Sequence, residues 1–182
     1  MLAGLGLALL LIFTTRENER YLRTQVTYDI PKVTLVNQFG QPVALRPYLE
    51  CDKPLLLEFT YTSCTTLCAD QSVKFSNLQR RLAAKVNSAR LVSISIDPET
   101  DRPEKLRTFL KEFQALPGWD FLTGTTEDIH LVMQAFNISS ANMVNLDSSL
   151  LVRAPSSGQW TRIDGRLDVH DFWQEYALLV DK

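Results

Sequence analysis

A short apolar run, Leu55-Leu56-Leu57-Glu58-Phe59-Thr60, is opened by Pro54 and leads straight into a loop that carries two cysteines, Cys64 and Cys68. A run of this length is a strand rather than a helix, and one bounded in this way suits a buried parallel strand. It is read as the first central strand of a sheet, with whatever follows it placed at the strand's carboxyl end.

The remainder of the chain alternates in kind. Between Thr65 and Lys85 the residues Val73, Phe75, Leu78, Leu82 and Val86 recur at helical spacing, while Lys74, Gln79, Arg80 and Arg81 fall elsewhere around the wheel. Arg90 to Ile96 carries the β-branched Val92, Ile94 and Ile96 and ends at Asp97-Pro98, which predicts a second buried strand. Asp101 with Glu104 resembles a capping box, with Pro103 in the first turn of a helix that runs through Phe113. A third strand is predicted at Trp119 to Leu122, a helix from Thr126 to Phe136, a hairpin from Leu150 to Arg153 and Trp160 to Ile163, and a last helix from Val169 to Leu179. Upstream, Lys32 to Val36 turns at Asn37-Gln38-Phe39-Gly40 into Gln41-Pro42-Val43 as another hairpin, and the polar stretch from Arg16 to Tyr28 reads as linker.

Strands separated by helices imply right-handed crossovers and parallel pairing, with the late hairpin antiparallel. The expected fold is therefore α/β: a thioredoxin-like three-layer α/β/α sandwich with an N-terminal β-hairpin and a CxxxC pair at a helix N-terminus. In open α/β sheets chemistry collects at the carboxyl ends of the strands, which is where Cys64 falls.

The 182 residues suit one domain, assigned to 24–182, preceded by an apolar leader or membrane anchor and a polar linker over 1–23. The segment from Leu2 to Phe13 is uninterrupted apolar sequence. As a helix it would measure about 18 Å against a hydrocarbon core of about 30 Å. No Lys or Arg precedes it and Thr14-Thr15-Arg16-Glu17 offers no small-x-small cleavage site, so an uncleaved anchor with a truncated start is expected. That places the domain on the periplasmic side of the inner membrane. Nineteen Lys and Arg against 21 Asp and Glu, with no long basic run, exclude nucleic acid as the expected partner. Three cysteines are too few for a disulfide scaffold and suggest one working pair plus a bystander, Cys51.

Cys64 and Cys68 are four apart, so on a helix they share a face with Cα atoms about 6 Å apart, within disulfide range. Ser63 or Thr62 can cap such a helix, and the free N–H groups and dipole of its first turn favour a thiolate at Cys64. Two thiolates at this spacing also suit Cu(I), which prefers soft sulfur ligands, with further ligands drawn from elsewhere. Spacing alone does not choose between disulfide chemistry, metal binding and simple packing. The polar surroundings, Thr60, Tyr61, Thr62, Ser63, Thr65 and Thr66, set the pair apart from two buried core cysteines.

The segments Phe59-Thr60-Tyr61-Thr62-Ser63-Cys64-Thr65-Thr66-Leu67-Cys68 and Val92-Ser93-Ile94-Ser95-Ile96-Asp97-Pro98-Glu99-Thr100-Asp101-Arg102-Pro103 resemble the strand-to-CxxxC and DPxxDxP segments of the Sco/SenC family. Phe121 to Thr125 and Ala135-Phe136-Asn137-Ile138 are similar to that family as well, so the resemblance spans Ile30 to the C-terminus. It implies a thioredoxin-fold protein that carries copper to cytochrome c oxidase or acts as a thiol-disulfide reductant in its assembly. It further implies a client that is a respiratory oxidase subunit or another periplasmic copper or thiol protein.

One departure accompanies the resemblance. Copper-binding members carry a histidine shortly before the penultimate strand, and none stands there in this chain. Asp147 falls near that position, with Asn142, Met143 and Asn145 nearby; Met143 is chemically acceptable to Cu(I) and a carboxylate is a poor ligand. His130 and His170 fall within helices and read as ordinary surface or helix-end residues. Asp97 and Asp101 read first as strand-ending and helix-capping residues, and second as groups that modulate the thiols. Three functions stay open: a Cu(I) carrier through Cys64 and Cys68, a copper-independent thiol-disulfide oxidoreductase in which Cys64 attacks and Cys68 resolves, and a module that binds a partner by its fold alone.

Overall fold

The computed structural model describes residues 21–63, 68–82, 89–138, 149–155 and 157–180. Along the chain these form β1 (Tyr21–Val26), β2 (Thr34–Asn37), β3 (Pro42–Ala44), α1 (Leu45–Leu49), β4 (Leu55–Thr60), α2 (Cys68–Leu82) and β5 (Arg90–Ser95). They continue with α3 (Pro103–Glu112), β6 (Trp119–Thr123), α4 (Thr126–Ala135), β7 (Ser149–Arg153), β8 (Trp160–Gly165) and α5 (Val169–Val180).

All the described strands join one sheet in the order β1-β8-β7-β4-β5-β6-β2-β3. β4, β5 and β6 are parallel neighbours, with Leu57 opposite Val92 and Val92 opposite Asp120. The parallel trio is the part that helical crossovers must cover on both sides. The β2–β3 hairpin pairs Val36 with Pro42, and its turn is held by Asn37, whose Oδ1 accepts from the N–H groups of Phe39 (2.9 Å) and Gln41 (3.0 Å). Gly40 there has φ +73°, which a side chain would resist.

Strand residues alternate between two cores. Leu55, Leu57, Phe59, Val92, Ile94 and Leu122 face a cluster completed by Leu45 and Leu49 of α1 and by Ile129 and Val132 of α4. Leu56, Leu91 and Phe121 face the opposite cluster, completed by Phe75 of α2, Leu106 and Phe109 of α3, and Phe172 of α5. The sheet is thus covered on both faces, as the near-continuous apolar strands require. In the first cluster the Trp160 indole meets Phe136 edge-on at 5.7 Å and Tyr28 at 6.2 Å, and it is 2% exposed. Trp160→Ala should cost about 3–5 kcal/mol, read from urea unfolding, because it empties a site ringed by rigid rings that cannot collapse into the void.

The stretch expected to be linker is not one over Tyr21–Val26. It forms β1, antiparallel to β8 from Tyr21 opposite Gly165 to Val26 opposite Trp160. Its four middle residues are exposed, so no buried alternation advertises a strand. The recruiting force is the open edge of β8, with Gln25 Nε2 donating to Thr161 Oγ1 at 2.7 Å and Arg23 paired with Glu175 at 3.3 Å.

Candidate functional site

β4 delivers the chain to the cysteine loop. Its ladder with β5 persists to the end, where the Ile96 N–H donates to Thr60 O at 3.0 Å, and three residues later the described segment closes at Ser63. Cys64 lies outside the described residues. α2 is described from Cys68, which places the second cysteine on the helix that follows the central strand.

The approach to Cys64 is fastened by Asp101. This residue is fully buried, and its carboxyl oxygens accept the Thr62 N–H at 3.0 Å, the Thr62 hydroxyl at 2.5 Å and the Ser95 hydroxyl at 2.6 Å. Ser95 Oγ in turn accepts the Asp97 N–H at 3.1 Å, and the Asp101 N–H donates to Asp97 O at 2.8 Å. The 97–101 turn is thereby tied to Thr62, two residues before Cys64. The expected capping box is absent: α3 is capped by Arg102 with no side-chain bond, and Pro103 opens the helix. Asp101 cannot serve as the cap because its oxygens are committed across the sheet. Asp101→Ala should cost about 3 kcal/mol by urea unfolding, since it orphans a buried N–H and two hydroxyls. It should also raise the alkylation rate of Cys64, because the loop loses its anchor.

A second polar group lies deeper. Leu56 and Leu91 face the α2 side of the sheet, and by strand alternation so do Glu58, Thr60, Ser93 and Ser95. Glu58 is 1% exposed, and its Oε1 accepts from Ser93 Oγ at 2.6 Å, which itself accepts from Trp119 Nε1 at 2.9 Å. Glu58 Oε2, Thr60 Oγ1 and Ser72 Oγ are buried without hydrogen-bond partners. Burial pushes the Glu58 carboxyl up to about 8, against smaller lowering influences from the Ser93 hydroxyl, nearby Ser72 and the charge of Lys74. Lys74 does not neutralise it, because its Nζ is paired with Asp70 at 2.5 Å. A buried polar stripe therefore runs under α2 toward the cysteine loop. Sequence reasoning passed over Glu58, although a lone acid within an apolar strand is a legible signal.

The model of the SCO1/SenC family matches residues 26–154, most of the described chain. This chain belongs to the SCO1/SenC family. The SCO1 protein homolog of Bacillus subtilis (strain 168) is 29% identical over 128 residues, covering 70% of this chain and 65% of that protein, just under two thirds of the relative's length. In fold the chain matches yeast Sco1 with copper bound (TM-score 0.68, 19% identity, 84% of this chain and 94% of that one). It also matches BsSco, a member of the Sco family of cytochrome c oxidase assembly proteins in which a disulfide switch was identified (TM-score 0.65, 24% identity, 84% and 93%). The mixed α/β fold with its eight-stranded sheet is thus the thioredoxin-like fold of the Sco structures.

Among the remaining predicted residues of this SCO1/SenC chain, Asn142, Met143, Asn145 and Asp147 lie outside the described segments. His130 is exposed on α4, against the face opposite the one α2 covers, and His170 is exposed on α5 beside Gln174 at 3.0 Å. Cys51 is half-buried against the first core cluster, its Sγ 3.7 Å from Lys53 O. Among the described residues no three His, Cys, Asp or Glu side chains converge on a point that could hold a metal. Beside Thr62 an open cleft is lined by Glu104, Lys105, Thr108, Phe109 and Glu112.

Proposed function

We propose that this SCO1/SenC chain serves cytochrome c oxidase assembly through Cys64 and Cys68, which hold Cu(I) as cargo, exchange disulfides with a client, or do both in turn. The observation that carries the reading is the family match over 26–154, which spans the whole strand–CxxxC–helix unit. The copper bound by yeast Sco1 and the disulfide switch of BsSco supply the two chemistries. The donor set suits both: two thiolates are soft ligands for Cu(I), and the same two can close a disulfide. The client is an oxidase subunit or another periplasmic copper or thiol protein. The apolar run from Leu2 to Phe13 anchors the domain to the membrane; among the described residues no helix is long and apolar enough to cross one.

The copper-independent reading is favoured by one feature of this chain, the lack of any histidine between His130 and His170, where copper-binding relatives are expected to supply a ligand. Met143 or Asp147 is the nearest replacement, and only the thioether is a good match for Cu(I). An anaerobic Cu(I) titration of the reduced chain against a competing chelator, beside Asp147→His, separates the two. Tight binding of one equivalent by the wild-type chain establishes copper carriage without histidine. Tight binding by Asp147→His alone overturns the copper half of the proposal and leaves thiol exchange as the function.

A further inference from the structure

The described strands leave the sheet with two edges, and the two are guarded differently. β3 is three residues long and opens with Pro42, whose nitrogen has no proton to offer a further strand. β1 is six residues of unbroken strand without Pro, Gly or Lys, and its one charge, Arg23, is turned toward Glu175 of α5 at 3.3 Å. β8 takes up one side of the β1 backbone; among the described residues no strand lies along the other. The same strand carries Leu22, which at 65% is the most exposed large apolar side chain among the described residues. An unguarded backbone edge and an exposed leucine on one strand are the features of a strand that takes a partner.

The sequence of β1 says what partner fits. Val26 packs against the first core cluster and Tyr21 against the second, so by alternation Leu22, Thr24 and Val26 share one face and Tyr21, Arg23 and Gln25 the other. Residues directly opposite in an antiparallel pair lie on the same face. For a second copy of β1, related by a two-fold axis normal to the sheet, the registers of greatest overlap are therefore centred on Arg23 or on Thr24. Centred on Arg23, the guanidinium stands opposite its own copy, and like charges so placed are destabilising. Centred on Thr24, threonine stands opposite threonine, Arg23 opposite Gln25, and the exposed Leu22 opposite Val26. In that register no like charges oppose one another and Leu22 gains an apolar neighbour.

We propose that the outer edge of β1 is a homodimer interface, in which two copies of this chain pair their β1 strands antiparallel about Thr24 and join their sheets into one. Main-chain hydrogen bonds supply the attachment, and the Leu22–Val26 contact, made twice across the axis, sets the register. The two-fold axis reverses every strand, so the carboxyl ends of the two β4 strands lie at opposite ends of the joined sheet and each copy meets its client separately.

The test is the association state of the full chain in detergent, measured by sedimentation velocity beside Thr24→Lys and Thr24→Glu. Thr24 is exposed, so both variants keep the wild-type urea midpoint. The wild-type chain is expected to be a dimer. Each variant alone dissociates about tenfold more readily, because like charges now meet at the axis. An equimolar mixture of the two variants recovers the dimer, because lysine then faces glutamate. A monomeric wild-type chain overturns the proposal. So does a dimer equally strong in both variants, which is held by another surface, and so does a loss in both variants that the mixture fails to restore, which removes Thr24 from the axis. None of these outcomes bears on the reading of the cysteine pair, which is assayed separately.

Discussion

Cys64→Ser should abolish disulfide reduction and form no covalent adduct with a disulfide probe, while Cys68→Ser should also abolish turnover but accumulate the adduct. Mass spectrometry of the quenched reaction distinguishes the two. The asymmetry is that of the proposed roles: with Cys64 as the attacking sulfur and Cys68 as the resolving one, loss of the first prevents the adduct and loss of the second prevents its release. Each variant also retains one thiolate of two, which is too few for Cu(I) in low coordination, so copper uptake falls away in both. Adduct trapped at Cys68 in the Cys64→Ser chain would reverse the assignment of roles.

The second large effect is on stability and comes from Glu58. Its folded-state carboxyl titrates at about 8, against about 4.3 in an unfolded chain. Between those values the folded chain holds a proton that the unfolded chain has released, so stability is full below about pH 4.3 and falls as pH rises to about 8. The slope is about 1.4 kcal/mol per pH unit, several kcal/mol across the window. Glu58→Gln keeps the shape and the Ser93 hydrogen bond without the titration. It should unfold at the wild-type urea concentration near pH 5 and well above it near pH 8. Burial also raises Glu175, against the opposing charge of Arg23, and acts in the same direction, so the difference between variant and wild type is the quantity that isolates Glu58. Parallel stability curves for the two chains would mean that Glu58 does not hold its proton in the folded state.

Much of this architecture is legible before any coordinates. Val92 and Ile94 mark β5 because a strand covered on both faces needs β-branched bulk, and the spacing of Phe75, Leu78 and Leu82 marks α2 because one helical face must meet the sheet. The Asn37-Gln38-Phe39-Gly40 turn is readable because Asn closes it through its own side chain and Gly40 takes the positive φ. β1 is not readable, since an edge strand exposed along its middle is specified by its partner β8 rather than by its own pattern. Asp101 misleads for a related reason: its place ahead of a helix satisfies the capping rule locally, while its partners Thr62 and Ser95 are close only once β4 and β5 are paired. Glu58 is conspicuous in composition terms, yet its meaning depends on the layer of α2 above it.

The most direct test of the central claim, that the chain supports oxidase assembly through its cysteine pair, is complementation. Cytochrome c oxidase activity is measured in membranes of a bacterium deleted for its own SCO1/SenC protein and supplied with this chain or with its Cys64→Ser, Cys68→Ser double variant. The account predicts restored activity with the wild-type chain and none with the double variant at equal protein level. Equal restoration by both would contradict it and leave a partner-binding fold in which the cysteines take no part.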